Sequence, residues 1–217
     1  MELISEIVRA RSMCRVKLEG GNQYWLRAAD LLDAGYAAGQ EINPEEFERF
    51  VLLHQYPRAL NEAVAMLARR PCSQDEIRQK LVSHRYMTET IEMVLYKLER
   101  EKLLNDQEFS EQWVRSRAAQ KYGKYRIYQE LKHKGVSEEA ARAALEQLDE
   151  AETCGQALEL ALRAYRRQKP TDDPGKQRQK VIQALVRRGY DWDTAREACR
   201  QAQLEIGQTD SDGIEDE

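Results

Sequence analysis

Residues that interrupt helices are scarce in this chain: 11 glycines and 5 prolines in 217 positions, with aromatics at only 7%. That composition argues against an all-β domain, which needs many tight turns and β-favouring side chains. Cysteine is equally sparse. Cys14, Cys72, Cys154 and Cys199 stand far apart with no CxxC pair, and His54, His84 and His133 lack ligand spacing. Neither a metal site nor a disulfide framework is therefore expected, and the thiols are read as reduced and buried. There is no GxxxxGK[ST] loop, no GxGxxG and no nucleophile–base pairing, so no catalytic residue and no cofactor is assigned. The opening residues lack the layout of a secretory signal, and no apolar run is long enough to span a bilayer. A soluble cytoplasmic protein with no membrane partner is the expectation.

What is present favours helices. Ala, Leu, Glu, Gln, Lys and Arg dominate, a third of all residues are charged, and hydrophobic residues make up 41%. That is little for one thick core, so a mostly α, elongated architecture is expected. Formal net charge is −4, which disfavours a dedicated DNA-coating protein. Locally the balance inverts: Arg115, Arg117, Lys121, Lys124, Arg126, Lys132 and Lys134 face one acid, Glu130, across twenty residues. From Glu205 to Glu217 there are six acids and no base.

The chain also repeats itself. Ile77-x3-Leu81-x4-Tyr86 recurs as Ile127-x3-Leu131-x4-Val136 and as Val181-x3-Leu185-x4-Tyr190. Each copy precedes a helical stripe: Ile91/Val94/Leu95/Leu98, Ala141/Ala144/Leu145/Leu148 and Ala195/Ala198/Cys199/Ala202. A further helix precedes each copy, at Leu60/Ala63/Val64/Leu67, Phe109/Trp113/Val114 and Leu158/Ala161/Leu162/Tyr165. The i, i+3, i+4, i+7 spacing places each stripe on one helix face, so the unit is three helices long.

Boundary residues agree with this parsing. Ser73 and Glu76 have capping-box spacing, Ser137 starts a helix with Glu138 and Glu139 in its first turn, and Asp106 reads as an N-cap. Gly135 and Gly189 occupy matching places as left-handed helix terminators. Lys169 to Gly175, with Pro170 and Pro174, reads as a loop. Nearer the start, Cys14–Leu18, a Gly20-Gly21-Asn22 turn and Tyr24–Leu26 form a β-hairpin. Asn43-Pro44-Glu45-Glu46 then starts a helix carrying Phe47, Phe50, Val51 and His54 on its apolar face. Five segments are expected: a hairpin-plus-helix module over 1–57, three-helix repeats over 58–104, 105–150 and 151–204, and an acidic disordered tail over 205–217.

Two stretches of the middle repeat carry a family resemblance: Asn105-Asp106-x2-Phe109-x3-Trp113-Val114-x2-Arg117, and Gly123-x2-Arg126-Ile127-x2-Glu130-Leu131-x2-Lys134-Gly135-Val136. With Ser73-x2-Glu76-Ile77-x2-Lys80-Leu81 of the first repeat, the chain resembles the RecX family from Leu3 to about Ala202. The resemblance implies tandem three-helix units in a curved superhelix lying in the groove of a RecA filament on DNA. It also implies a regulator without chemistry of its own. Such a protein restrains filament growth, ATP hydrolysis, strand exchange and co-protease activity in recombination, DNA repair and the SOS response.

The seven basic residues from Arg115 to Lys134, interleaved with Tyr122, Tyr125 and Tyr128, are the candidate surface for RecA or DNA. The bland alternative is a solvated helix face. Trp113 and Trp192 are read as core side chains in preference to base-stacking platforms. Two rival functions stay open: a helix-turn-helix-like DNA-binding module, and a passive helical scaffold for another protein. Against the first, Ser137–Asp149 presents Glu138, Glu139, Glu146 and Asp149 against Arg142 alone. A monomer with at most weak direct DNA binding is expected.

Overall fold

Residues 1–168 and 173–212 are described by the structure, a computed structural model whose two units are Met1–Asn105 and Asp106–Glu217. In the first unit, β1 (Glu2–Ala10), β2 (Met13–Leu18), β3 (Gln23–Arg27) and the short β4 (Glu41–Ile42) form an antiparallel sheet of order β3-β2-β1-β4. The expected hairpin is β2–β3, with Cys14 opposite Leu26 and Val16 opposite Tyr24. Strand β1, its longest member, was not legible. A bulge between Ile4 and Glu6 breaks the alternation on which a strand is recognised, so Ile4 and Ile7 are three positions apart.

Against this sheet lie α1 (Ala28–Asp33) and the start of α2 (Pro44–Leu67), burying Ile4, Val16, Leu18, Leu26, Phe47 and Val51. Asn43 caps α2 by accepting from the Glu45 amide at 3.0 Å, with Pro44 in the first turn as the sequence implies. No helix break marks the edge expected at Tyr56–Pro57: α2 runs unbroken through Pro57. Proline removes the bond to the Leu53 carbonyl at a position where the residue is 70% exposed, so the lost bond costs less than it would in a buried helix. The N-terminal module and the first repeat therefore share one helix.

The first repeat is completed by α3 (Gln74–Ser83) and α4 (Thr88–Arg100). Ser73 and Glu76 form the reciprocal capping box, each side chain accepting the other's amide at 3.2 Å. Gln55, 1% exposed, ties module to repeat: its amide nitrogen donates to the Trp25 carbonyl at 2.9 Å. Its oxygen accepts from the Met87 amide at 2.9 Å and the Thr90 hydroxyl at 3.1 Å.

In the second unit, α5 (Asp106–Ala119), α6 (Lys124–His133) and α7 (Glu138–Glu146) form the middle repeat; α8 (Glu150–Tyr165), α9 (Pro174–Arg187) and α10 (Trp192–Asp212) form the last. Asp106 is the first helical residue of α5, one step inside the expected cap. Ser137 caps α7 by accepting from the Ala140 amide at 3.2 Å. The three motif copies agree in conformation as well as sequence. After Leu81, Leu131 and Leu185 the chain turns left-handed at Arg85 (φ 65°), Gly135 (φ 71°) and Gly189 (φ 94°). The next amide then closes back on that leucine carbonyl at 3.2–3.3 Å in every copy.

Burial follows the stripes, with one refinement. Where α2 and α8 meet the other helices of their repeats, the deepest residues are Ala59 and Ala63, and Ala157 and Ala161, while Leu60, Val64 and Leu158 lie to the side. Small side chains let helix axes approach; the larger ones fill the flanks. Other expectations need correcting. Pro174 and Gly175 belong to α9, capped by Asp173, and residues 169–172 of the expected loop lie outside the described residues. The tail expected from Glu205 is helical as far as Asp212, passing through Gly207; residues 213–217 lie outside the described residues. Cys154 is exposed, unlike Cys14, Cys72 and Cys199: it shares the helix face of Ala157 and Ala161 but lies a turn nearer the start of α8, ahead of the buried stripe. Among the described residues no helix is long and apolar enough to cross a membrane, and no cluster of His, Cys, Asp and Glu could hold a metal.

Candidate functional site

Helix α6 buries Ile127 and Leu131 against α5 and α7, so its remaining faces and the α5–α6 turn carry the basic run. Three of the seven cations are drawn into an aromatic stack. Arg117 lies 4.4 Å and Lys134 4.2 Å from the Trp113 ring, which itself stacks on Phe109 at 5.9 Å. Arg126 lies 4.1 Å and Arg188 5.0 Å from the Tyr122 ring. Glu130 is the shared anion: it accepts from Arg117 Nε at 2.7 Å, Arg126 Nε at 3.1 Å and the Trp113 indole at 3.2 Å. The part-buried Arg117–Glu130 bond contributes about 1.5–3 kcal/mol, whereas the more exposed Arg126 pair, one turn along α6, contributes about 0.3–0.5 kcal/mol. Arg117, Arg126 and Lys134 thus hold α5, α6 and the α9–α10 turn in register.

The other four are placed differently. Arg115 and Lys132 are exposed, and neither has an ion pair among the described residues. Lys124 makes only a 3.6 Å approach to the largely exposed Glu150. Lys121, left-handed at φ 59°, pairs with Glu159 of α8 and offers its carbonyl to Arg188 Nε and the Tyr190 hydroxyl, both at 3.2 Å. Trp113 is half-buried as a packing residue, whereas Trp192 is 54% exposed, against the expectation of a core position. As the first residue of α10, Trp192 lies ahead of the inward stripe Ala195/Ala198/Cys199/Ala202.

Lys121 also marks where the two repeats of this unit meet backbone to backbone. The Gly123 amide donates to the Arg188 carbonyl at 3.0 Å, and the Tyr125 amide to the Gly189 carbonyl at 3.1 Å. A methyl on Gly123 would sit 2.2 Å from the Gly189 carbonyl, so glycine is required there by contact. The Tyr190 hydroxyl is buried at this seam, and burial pushes its pKa up to about 12.

Beside the seam opens a cleft of about 690 Å³, lined by Lys121, Arg126, Arg163, Arg167, Arg187 and Arg188 with Glu159 as its one carboxylate. Glu159 is held below the ordinary carboxylate range, chiefly by its hydrogen bond from Lys121. Sequence reasoning found Lys121 and Arg126 but missed the four arginines. The signal was in the sequence: from Arg163 to Arg188 there are nine basic residues against Asp172 and Asp173, a run as basic as Arg115–Lys134 but interrupted by the Pro170–Gly175 segment.

Against this geometry the comparisons with known proteins are consistent. Three family models match in order: "RecX, first three-helix domain" at residues 59–98, "RecX, second three-helix domain" at 105–145 and "RecX, third three-helix domain" at 150–199. Regulatory protein RecX of Prosthecochloris aestuarii is 38% identical over 141 residues, covering 64% of this chain and 90% of its own length. That of Clostridioides difficile is 32% identical over 156 residues, covering 71% and 73%. The crystal structure of a regulatory protein RecX superposes with a TM-score of 0.64 at 22% identity, over 93% of this chain and all of that one. RecX from Lactobacillus salivarius gives the same score at 23% identity over 69% of this chain and 97% of its own. RecX regulatory proteins are non-enzymatic, and on its three matched domains and these identities the chain belongs to the RecX family.

Proposed function

We propose that this protein binds RecA and the RecA filament on DNA, and restrains the filament's ATPase, recombinase and co-protease activities from the cytoplasm, acting as a monomer. The observation that carries the reading is membership of the RecX family through three consecutive three-helix domains. The exposed cations of the middle repeat supply a matching surface. Arg115, Lys124 and Lys132 are available to an acidic or phosphate-bearing partner, while Arg117, Lys121, Arg126 and Lys134 shape the surface through the ring stack and the seam. Several modest contacts along one helical partner gain by avidity, which suits a filament of repeating protomers.

The helix-turn-helix reading is weaker. Helix α7, the candidate recognition helix, carries Glu138, Glu139 and Glu146, and its single arginine, Arg142, is paired with Glu138. The test is DNA-dependent ATP hydrolysis by the cognate RecA with this protein titrated in. Inhibition below equimolar amounts is expected; no effect in excess would favour the scaffold reading. Reversal of Arg115, Lys124 and Lys132 to Glu should weaken inhibition without unfolding, because none of the three holds the stack. A folded triple variant that inhibits fully removes those residues from the interface.

A further inference from the structure

Residues 1–58 precede all three matched domains, and their sheet leaves one edge open. Strand β4 covers β1 only at Glu2 and Leu3, and the chain just ahead of it reaches one step further. There the Ile4 amide donates to the Gln40 carbonyl at 3.0 Å, and the Gly39 amide to the Ile4 carbonyl at 2.8 Å. Beyond Ile4 no described strand lies against the outer side of β1. The register fixes which groups that side carries. Ser12 and Leu18 bond towards β3, accepting from the Ala28 amide and donating to the Asn22 carbonyl, so Met13, Arg15 and Lys17 bond towards β1. Their partners Ala10, Val8 and Glu6 turn their amides and carbonyls inward, and Ile7 and Arg9 therefore turn theirs outward. Four backbone groups stand along that edge with no hydrogen bond among the described residues.

The face that Ile7 and Arg9 share opens on a groove of about 440 Å³, whose lining includes both residues with Leu31, Leu32 and Tyr36. Its floor belongs to the core: Leu31 is buried, and Ile7 and Tyr36 pack on the same cluster. Its rim is Leu32, a large aliphatic side chain 79% exposed. An open strand edge and an apolar groove alongside it are the two parts of a strand-addition site: the backbone groups give affinity and the groove takes alternate side chains.

Charge at this edge selects the occupant. Arg9 is the one charged side chain in the lining, and its Nε donates to the carbonyl of Arg11, a second exposed cation, at 3.2 Å. Glu6 lies on the opposite face and is committed to Arg15 at 3.0 Å. Pairing with the β1 of a second copy would bring four arginines together with no free carboxylate among them, which opposes that pairing. A strand that carries an acid meets the cations with the complementary sign.

We propose that the open edge of β1 binds an extended segment of a partner protein by antiparallel strand addition, the segment reading acid-x-aliphatic. Its acid lies opposite Arg9 and its aliphatic residue opposite Ile7, both over the groove, because paired residues in a ladder share a face. The residue between them lies opposite Val8 on the other face, where Val8 is 38% exposed. A three-residue segment in this register satisfies all four outward groups. The surface belongs to the first unit, whereas Arg115, Lys124 and Lys132 belong to the second, and it does not depend on the filament reading.

The probe is the fluorescein-labelled peptide TTEVITT, titrated with the full chain and read by fluorescence anisotropy. Saturable binding is expected. Methylating the probe's Glu and Ile amides, which face β1, should weaken it at least about tenfold, because two backbone hydrogen bonds are lost. Methylating the Val amide, which faces away, should leave binding within about twofold. Arg9→Glu should reverse the charge preference, so that TTKVITT binds more tightly than TTEVITT. Leu32→Ser, a change at an exposed residue that leaves the fold intact, should weaken the probe about fivefold by removing the groove's rim. No saturable binding up to about 1 mM, with native circular dichroism, overturns the proposal. So does equal weakening by methylation of the Val amide, because the segment would then not be held as a strand. Light scattering that shows a dimer of the full chain, lost in Arg9→Pro, would make a second copy the occupant and overturn the proposal as well.

Discussion

Substituting Gly123 by Ala isolates the seam between the middle and last repeats. At φ −75° the backbone there suits alanine, so no backbone strain is added; Gly123 is also the N-cap of α6, and the poorer capping by alanine adds to the cost of contact. The new methyl would lie 2.2 Å from both the carbonyl carbon and oxygen of Gly189 and 2.3 Å from the Tyr190 nitrogen. All three are backbone atoms, and none can rotate away. Reaching ordinary van der Waals contact requires the two turns to separate by about 1 Å or more. That stretches the amide bonds from Gly123 to Arg188 and from Tyr125 to Gly189, now 3.0 and 3.1 Å, beyond hydrogen-bonding range. At about 1 kcal/mol net per bond, plus about 1–3 kcal/mol for overpacking, the loss is about 3–5 kcal/mol. Urea unfolding of the full chain, followed by tryptophan fluorescence, should show the midpoint fall and the transition broaden as the repeats uncouple. Gly155→Ala is the control: it is helical in α8 with nothing within 4 Å of an added methyl, and should stabilise by about 0.5–1 kcal/mol. A Gly123→Ala protein within about 0.5 kcal/mol of the parent would refute the reasoning.

Three further outcomes are expected. Gln55→Leu should destabilise by about 2–3 kcal/mol in equilibrium denaturation, since the Met87 amide and Trp25 carbonyl lose their buried partner; a neutral effect would mean that water replaces the side chain. Arg85→Gly should raise stability by up to about 1 kcal/mol, because Arg85 holds the left-handed position that Gly135 and Gly189 hold in the other repeats; thermal melting reads the sign. Tyr190 has its folded-state pKa raised from 10.0 to about 12 by burial, so its contribution is whole below pH 10 and is lost as pH climbs towards 12. Over that window the parent should lose about 2–3 kcal/mol more than Tyr190→Phe, and parallel pH profiles would contradict this.

The sequence alone determined what depends on local pattern. Helical periodicity, the Ser73–Glu76 box, the Ser137 cap and the left-handed glycines are each written within a few neighbouring residues, so the three-helix repeats could be counted before any coordinates. The β2–β3 hairpin was legible by the same logic, and the motif residues of the middle repeat pointed to the family. Tertiary structure decided what depends on partners distant in the chain. Strand β1 was hidden by its bulge, and α2 passes through Pro57 at a point where Leu53, the residue that loses its amide partner, is exposed, which no local rule reveals. The same holds for the cations. As a linear run, Arg115 to Lys134 reads as one patch, but packing withdraws Arg117, Arg126 and Lys134 onto aromatic rings and Glu130. Folding then brings Arg163, Arg167, Arg187 and Arg188 from two other helices to one cleft. Charge density along a sequence counts neighbours in one dimension, whereas a binding surface is made by whichever side chains three-dimensional packing leaves together and unpaired.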